Sequence, residues 1–187
     1  MRRLIVCCFA LPLAVALLAL PTRAAQKSRA ADKSAAQSSP GYITREVRHE
    51  LIMLPDYGVF DNLAFRVDGT NVTLIGQVTK PILKSDAGNV VKKIEGVTGV
   101  DNQIQVLPPS SMDDGIRMAE YRAIYSESGL MRYAMQAVPP IHIIVDTGKV
   151  TLEGVVATQS DKDLANIRAG TVSGVFSVTN NLRVEGK

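Results

Sequence analysis

The sequence predicts an α+β protein built as a tandem repeat of two small two-layer sandwiches. The main observation is a gapless self-match at an offset of 78 residues, in which residues 67–78 correspond to residues 145–156. The match continues through Asn102 and Asn180 without a change of offset. A fixed period of this kind indicates that one supersecondary unit occurs twice. Each unit is predicted to have the order α-β-β-α-β, with a three-stranded mixed sheet and two helices on one face.

The first unit shows the period of each element in chain order. Ile43, Val47 and Leu51 recur every four residues, which predicts an opening helix. Two alternating apolar and polar stretches flank a turn at residues 68–71 and predict a β-hairpin. An apolar stripe at helical spacing over residues 83–94 predicts the second helix. A last alternating stretch completes the unit.

The second unit repeats this order, with an opening helix predicted to begin near Ile116 and to carry Tyr121 and Tyr125. The stretch at residues 127–140 does not fit the pattern expected between the opening helix and the first strand, and it has no close match in the first unit. We expect the two sheets, or one sheet and the neighbouring helix, to pack together. The predicted domains are residues 42–107 and 114–187, joined by a linker at residues 108–113.

Residues 1–25 are typical of a secretory signal peptide. Arg2 and Arg3 precede an apolar run, and cleavage is expected after Ala24 or Ala25. An uncleaved membrane anchor is the alternative, since the run is just short of a comfortable span. Export predicts a periplasmic location, peripheral to a membrane wherever the protein binds lipid. Both cysteines lie at the front of the apolar run, whereas a lipoprotein cysteine follows it, so no lipid attachment is predicted.

Removal of the signal peptide changes the charge of the chain. Loss of Arg2, Arg3 and Arg23 lowers the basic count from 21 to 18, equal to the 18 acidic residues. The mature chain also lacks cysteine, which excludes a disulfide, a thiol nucleophile and a thiolate metal site. Residues 26–41 are rich in Ala, Ser, Gln and Lys and are predicted to be a flexible linker. A weak electrostatic contact to anionic lipid is the alternative interpretation of this linker.

The repeated sequence resembles a known family. The pattern is a Val-Asp turn, then Val-Thr-Leu-x-Gly-x-Val, a helix, and Gly-Val-x-x-Val-x-Asn-x-Leu/Ile-x-Val. It resembles the BON domain, named for bacterial osmotic-stress and nodulation proteins, and most closely the dual-BON periplasmic proteins of Gram-negative bacteria. The residues that carry the resemblance and are expected to be structural are Gly76, Gly96, Val97, Asn102, Gly154, Gly174, Val175 and Asn180.

The resemblance implies a non-enzymatic protein of envelope maintenance or stress tolerance that binds phospholipid or envelope proteins. It implies no cofactor. Its motif is specific for a fold and much less so for a ligand, because its residues serve turns and core.

Gly76 and Gly154 occupy the middle of matched strands. A β-bulge or a close approach of helix and sheet is the predicted reason for a glycine in both copies. A backbone left open to a ligand is the alternative.

The sequence offers no catalytic or metal-binding constellation. Asp68 and Asp146 are matched, but aspartate is an ordinary turn residue there. His49 and His142 lie in non-equivalent positions without metal-ligand spacing, so no metal site is predicted. The Gly-x-x-Gly at residues 96–99 is absent from the second unit and carries no basic residue, which excludes nucleic acid. We therefore predict no enzyme, no cofactor and no small-molecule substrate.

The segment at residues 130–138 is Met-rich and is not explained by the repeat. Met and Tyr suit an adaptable contact surface, and arginines flank the segment. The predicted lipid- or partner-binding residues are Arg117, Arg122, Leu130, Met131, Arg132, Tyr133 and Met135. The alternative is that the segment packs under the second sheet. The predicted function is binding to an anionic phospholipid surface, with a periplasmic protein-interaction or chaperone-like assembly factor as the alternative.

Overall fold

The structure is a computed structural model that describes residues 39–186. The first unit consists of α1 (Pro40–Ile52), β1 (Asn62–Asp68), β2 (Asn71–Val78), α2 (Pro81–Val91), β3 (Gly99–Asn102) and β4 (Gln105–Val106). The second consists of α3 (Ser111–Tyr125), α4 (Met131–Ala134), β5 (Ile141–Asp146), β6 (Lys149–Val156), α5 (Gln159–Ala169), β7 (Ser177–Asn180) and β8 (Arg183–Val184). The predicted signal peptide and most of the predicted linker lie outside the described residues.

The two units have the same sheet topology, which confirms the predicted tandem α+β architecture. In each unit the first two strands form an antiparallel hairpin, and the divided last strand runs parallel to the central strand. The registers correspond residue for residue, since Phe65 faces Leu74 and Ile143 faces Leu152. The helices and one sheet face enclose a separate apolar core in each unit.

The opening helices begin earlier than the sequence predicted. The Ser39 hydroxyl accepts the Tyr42 N–H at 3.3 Å, so Pro40 and Gly41 form the first turn of α1 and are not part of the linker. In the second unit Ser110 caps α3, and Asp113 and Asp114 follow in its first turn. Carboxylates near a helix N-terminus are stabilising, so this helix begins at Ser111 and not near Ile116.

The mid-strand glycines are explained by a close approach between strands. Gly76 and Gly154 both have φ of +125°, and a Cβ atom there would lie 2.0 Å from the Asn62 carbonyl oxygen or 1.9 Å from that of Pro140. The register continues past Gly76 to the Asn62–Gln77 pair, and past Gly154 the Val155 N–H donates to the Pro140 oxygen, so the predicted bulge is not found. The close neighbour is the backbone at the start of the facing strand, not a helix.

The matched asparagines explain why the last strand is divided. The Asn102 side chain donates to the Lys84 carbonyl oxygen at 2.7 Å and accepts the Ile104 N–H at 3.2 Å. Asn180 makes the same pair of bonds, with Lys162 and Leu182. Each asparagine therefore ties the break in the strand to the helix before it.

The two units touch through the loop that connects α1 and β1. The Val59 carbonyl oxygen accepts the Ile143 N–H at 2.8 Å, and the Tyr57 ring stacks on His142 with ring centroids 5.6 Å apart. Phe60 meets the edge of Tyr121 on α3. This loop, rather than an open sheet face, makes the contact to the second unit.

Candidate binding site

The helix α3 is fixed to its hairpin by a buried carboxylate. Asp113 accepts the N–H groups of Thr147 and Gly148 at 3.1 and 2.8 Å, in a turn where both residues have positive φ. Burial acts to raise the pKa of Asp113, but the hydrogen bonds from Gly148, Thr147 and Ser110, with the charge of Arg117, outweigh it. The pKa therefore lies below its usual value, and the carboxylate stays ionised.

Arg117, a predicted binding residue, is buried beside the same hairpin. Its guanidinium donates to the Val145 carbonyl oxygen at 2.6 Å and to Asp114 at 2.5 Å. These bonds satisfy a strand edge and a helix side chain. Arg117 is therefore a structural residue of the second unit and is not on its surface.

The segment at residues 130–135 is divided between core and surface. Leu130 is fully buried, and Tyr133 is buried with its hydroxyl accepting the Ala157 N–H at 2.8 Å and donating to Asp161 at 3.0 Å. The alternative interpretation, in which the segment packs under the second sheet, therefore describes these two residues. Met131 and Met135 are 52% and 86% exposed.

Arg132 lies between the exposed methionines. Its guanidinium donates to Asp161 at 2.5 Å and stands 4.9 Å from the centre of the Tyr133 ring. Burial acts to raise the pKa of Asp161, but bonds from Thr158 and Tyr133 and the charge of Arg132 hold it below its usual value. Arg132 thus ties the segment at residues 130–135 to Asp161, while about half of its side chain stays exposed.

Arg122 is exposed on α3. Within residues 39–186 it makes no ion pair and no hydrogen bond to the Met-containing segment. The structure therefore unites Met131, Arg132 and Met135 in one exposed patch, which we call the Met–Arg patch. It does not join Arg117, Leu130 or Tyr133 to that patch.

Sequence reasoning missed Glu120. This residue is fully buried on α3, and neither carboxyl oxygen has a hydrogen-bond partner among the described residues. Burial raises its pKa from 4.5 to about 8. A signal was present, because Glu120 lies four residues from both Ile116 and Ile124 and therefore on the core-facing stripe.

The remaining family residues serve the fold. Gly96 and Gly174 have φ of +91° and +90° at the turn before the last strand. Val97 and Val175 pack against the two cores. No group of three or more His, Cys, Asp or Glu residues that could hold a metal ion occurs in the described range. No helix within that range is long and apolar enough to span a bilayer.

The two matched units define a class of protein, a tandem of α-β-β-α-β sandwiches whose repeated residues make turns, strand contacts and cores. The chain belongs to the BON domain family, which matches residues 41–108 and 131–186. The second match begins after α3, the helix that carries the buried Asp113, Arg117 and Glu120.

The chain is similar to the osmotically-inducible protein Y of Escherichia coli (strain K12), with 32% identity over 127 residues. The match covers 66% of this chain and 62% of that protein, so the chain spans less than two thirds of its relative. Among solved structures it is similar to the C-terminal domain of CdsD, a type III secretion system protein of Chlamydia trachomatis. That match has 13% identity, a TM-score of 0.27, and covers 75% of this chain and 96% of that one. A second CdsD structure gives 12% identity and a TM-score of 0.29, covering 77% and 93%.

Proposed function

We propose that this protein is a non-enzymatic, exported binding module that acts at the cell envelope under osmotic stress and attaches to anionic phospholipid through the Met–Arg patch. The osmotic role is supported by the name of the Escherichia coli relative and by membership of the BON family. The observation that carries the lipid assignment is the exposure of Met131 and Met135 on both sides of Arg132.

The chemistry of the patch fits the surface of a bilayer. A thioether side chain is apolar and flexible, so Met131 and Met135 can enter the boundary between headgroups and acyl chains. The charge of Arg132 is partly offset by Asp161. We propose that Arg122, exposed on α3 outside the patch and without an ion pair among the described residues, adds a second guanidinium. One basic residue near an anionic surface contributes about 1 kcal/mol, or about fivefold in affinity. The patch therefore supports a weak, salt-dependent attachment.

Vesicle flotation of the chain from residue 26 tests the proposal. We expect binding to vesicles of phosphatidylglycerol and none to phosphatidylcholine, with loss at high salt. Replacing both Met131 and Met135 with Asp should abolish flotation, and Arg122→Ala should weaken it about fivefold.

Matched controls come from the first unit. Ile82 on α2 is 53% exposed, so Ile82→Asp matches the charge of Met135→Asp alone at an exposed apolar site of the first unit, and Arg66→Ala removes an exposed arginine there. Neither should change flotation. Tyr133→Ala is unsuitable as a test, because it removes bonds to Ala157 and Asp161. Equal binding to both lipids, or binding unaffected by the paired Met131 and Met135 changes, would contradict the proposal.

A further inference from the structure

Each outward residue of β5 has one of its two backbone groups hydrogen-bonded to a group outside the sheet. In an antiparallel hairpin, alternate residues of an edge strand direct their N–H and C=O groups away from the neighbouring strand. On β5 these residues are Ile141, Ile143 and Val145. The Ile141 oxygen accepts the Tyr125 hydroxyl at 2.6 Å, the Ile143 N–H donates to Val59, and the Val145 oxygen accepts Arg117.

The corresponding edge of β1 is open. The identical register places Leu63, Phe65 and Val67 in the outward positions. Leu63 N–H is approached by the Tyr57 hydroxyl. Within residues 39–186, no hydrogen bond reaches the outward N–H and C=O groups of Phe65 and Val67. Leu63, Phe65 and Val67 are only half-buried, whereas the corresponding Ile141, Ile143 and Val145 are fully buried.

A groove with a volume of about 1050 Å³ lies alongside this open edge. Its first wall combines β1 with the end of α1, where Ile52 and Met53 are exposed. Its other wall comes from the second unit, from residues 136–140 and His142. Tyr57 and His142, which stack beside the bond between Val59 and β5, also line the groove.

We propose that β1 is a docking strand that binds an extended polypeptide segment by β-strand addition in this groove. The unpaired N–H and C=O groups recur every second residue, at a spacing of about 7 Å. Another extended backbone matches that spacing, whereas a lipid chain has no donors or acceptors to offer. Apolar side chains at alternate positions of the bound segment would contact Phe65, Val67 and Ile52. The segment is therefore predicted to alternate apolar and polar residues.

Amide hydrogen exchange by NMR tests the proposal with a defined probe. The probe is a fluorescein-labelled decapeptide in which valine alternates with threonine and lysine. Without peptide, we expect the Phe65 and Val67 amides to exchange rapidly and the Ile143 amide to be protected. Saturating peptide should slow exchange at Phe65 and Val67 at least tenfold and leave Ile143 unchanged.

Two changes isolate the backbone contact. Phe65→Pro removes an outward N–H that has no partner within the sheet and should weaken peptide binding at least tenfold, because proline is tolerated on edge strands. Phe65→Val keeps the N–H and should bind within threefold of wild type. A peptide N-methylated at alternate amides on its pairing edge should fail to bind, which tests the proposal even if Phe65→Pro does not fold.

Four results would overturn the proposal. One is peptide binding that protects no amide of β1, and another is no binding of the peptide at millimolar concentration. The third is protection of Phe65 and Val67 without peptide in a concentration-dependent dimer, which would show that a second copy of the chain pairs with β1. Protection by anionic vesicles but not by peptide would assign this edge to the membrane and would also contradict the proposal.

Discussion

The opening helices of the two units occupy the same place in the fold but bury different kinds of side chain. α1 turns Ile43, Val47 and Leu51 toward its core, whereas α3 also buries Asp113, Arg117 and Glu120. Two of these polar groups, Asp113 and Arg117, bind backbone atoms of the hairpin β5–β6, while the carboxyl of Glu120 has no hydrogen-bond partner between residues 39 and 186.

The difference shows what a duplicated fold allows. A helix face can become polar where the strand beside it has backbone groups to satisfy. On β5, Tyr125 and Arg117 of α3 each bind an outward carbonyl oxygen, whereas among the described residues no such bond reaches Phe65 or Val67 on β1. The registers that the two units share are untouched by this difference.

The largest expected effect is on the feature that both units keep. Gly76→Ala and Gly154→Ala each place a methyl group within 2.0 Å of a backbone carbonyl oxygen at a φ of +125°. We expect each change to lower the free energy of unfolding by at least about 3 kcal/mol, measured by urea denaturation. Gly115→Ala is the control, since nothing lies near its Cβ position in α3 and alanine favours a helix. A loss below about 1 kcal/mol at either strand glycine would contradict the explanation.

Glu120→Met removes the unpartnered carboxyl of α3. The raised pKa means that the folded state binds the proton more tightly than the unfolded state, so stability falls as pH rises from about 4.5 to about 8. We expect the variant to lose this dependence and to gain about 1 to 4 kcal/mol at pH 8, with little change at pH 4.

Urea denaturation at the two pH values measures this effect. Glu50→Met on α1 is the matched control and should retain the wild-type pH dependence, because Glu120 is still present. A variant that is less stable than wild type at pH 8 would show that Glu120 has a partner.

Asp113→Ala removes the two hydrogen bonds that join its carboxylate to the β5–β6 turn. It leaves the buried Gly148 N–H without an acceptor, and we expect a loss of about 2 kcal/mol at pH 7. The pKa of Asp113 in the folded protein is below its usual value of 3.8. Its contribution to the free energy of unfolding is therefore present above pH 3.8 and is lost as the pH falls below 3.8. The free energies of unfolding of the wild type and the Asp113→Ala variant should therefore become equal in acid. Asp114→Ala changes an exposed neighbour and should cost less than about 1 kcal/mol.

The smallest expected effect concerns the contact between the units. Burial lowers the pKa of His142, so the stability that this residue contributes is present above pH about 6.5 and decreases as pH falls below it. His142→Phe keeps a ring against Tyr57. At pH 5.5 it should stabilise the protein relative to wild type by less than about 1 kcal/mol, measured as a higher melting temperature. His49→Phe, at an exposed site, should change nothing. An equal rise in the melting temperature of His142→Phe at pH 7.5 would indicate that the effect comes from packing and not from the titration of His142.

The sequence predicted the repeat because its signals are local. Alternation in the strands, the spacing of Ile43, Val47 and Leu51, and the glycine before each last strand all act within a few residues. The matched Asn102 and Asn180 were identified, although their bonds to Lys84 and Lys162 were not.

The candidate site was predicted less completely because it depends on distant partners. Arg117 and Tyr133 read as surface residues, since arginine is mostly exposed and tyrosine suits interfaces. Val145 and Asp161, which bury them, lie 28 residues away in each case. Only the fold brings these atoms together, and it leaves Met131, Arg132 and Met135 at the surface.

The bond from the Ile143 N–H to the Val59 oxygen makes the second unit depend on the first for one backbone contact. Its acceptor is supplied by the earlier unit and its donor by the later one, so a polypeptide made from its N-terminus has the acceptor in place first. A fragment that ends at residue 108 keeps every strand and helix of its own unit. A fragment that begins at residue 110 leaves one strand amide of β5 without an acceptor. The first unit thus supplies a backbone acceptor that the second unit lacks when it is separated from it.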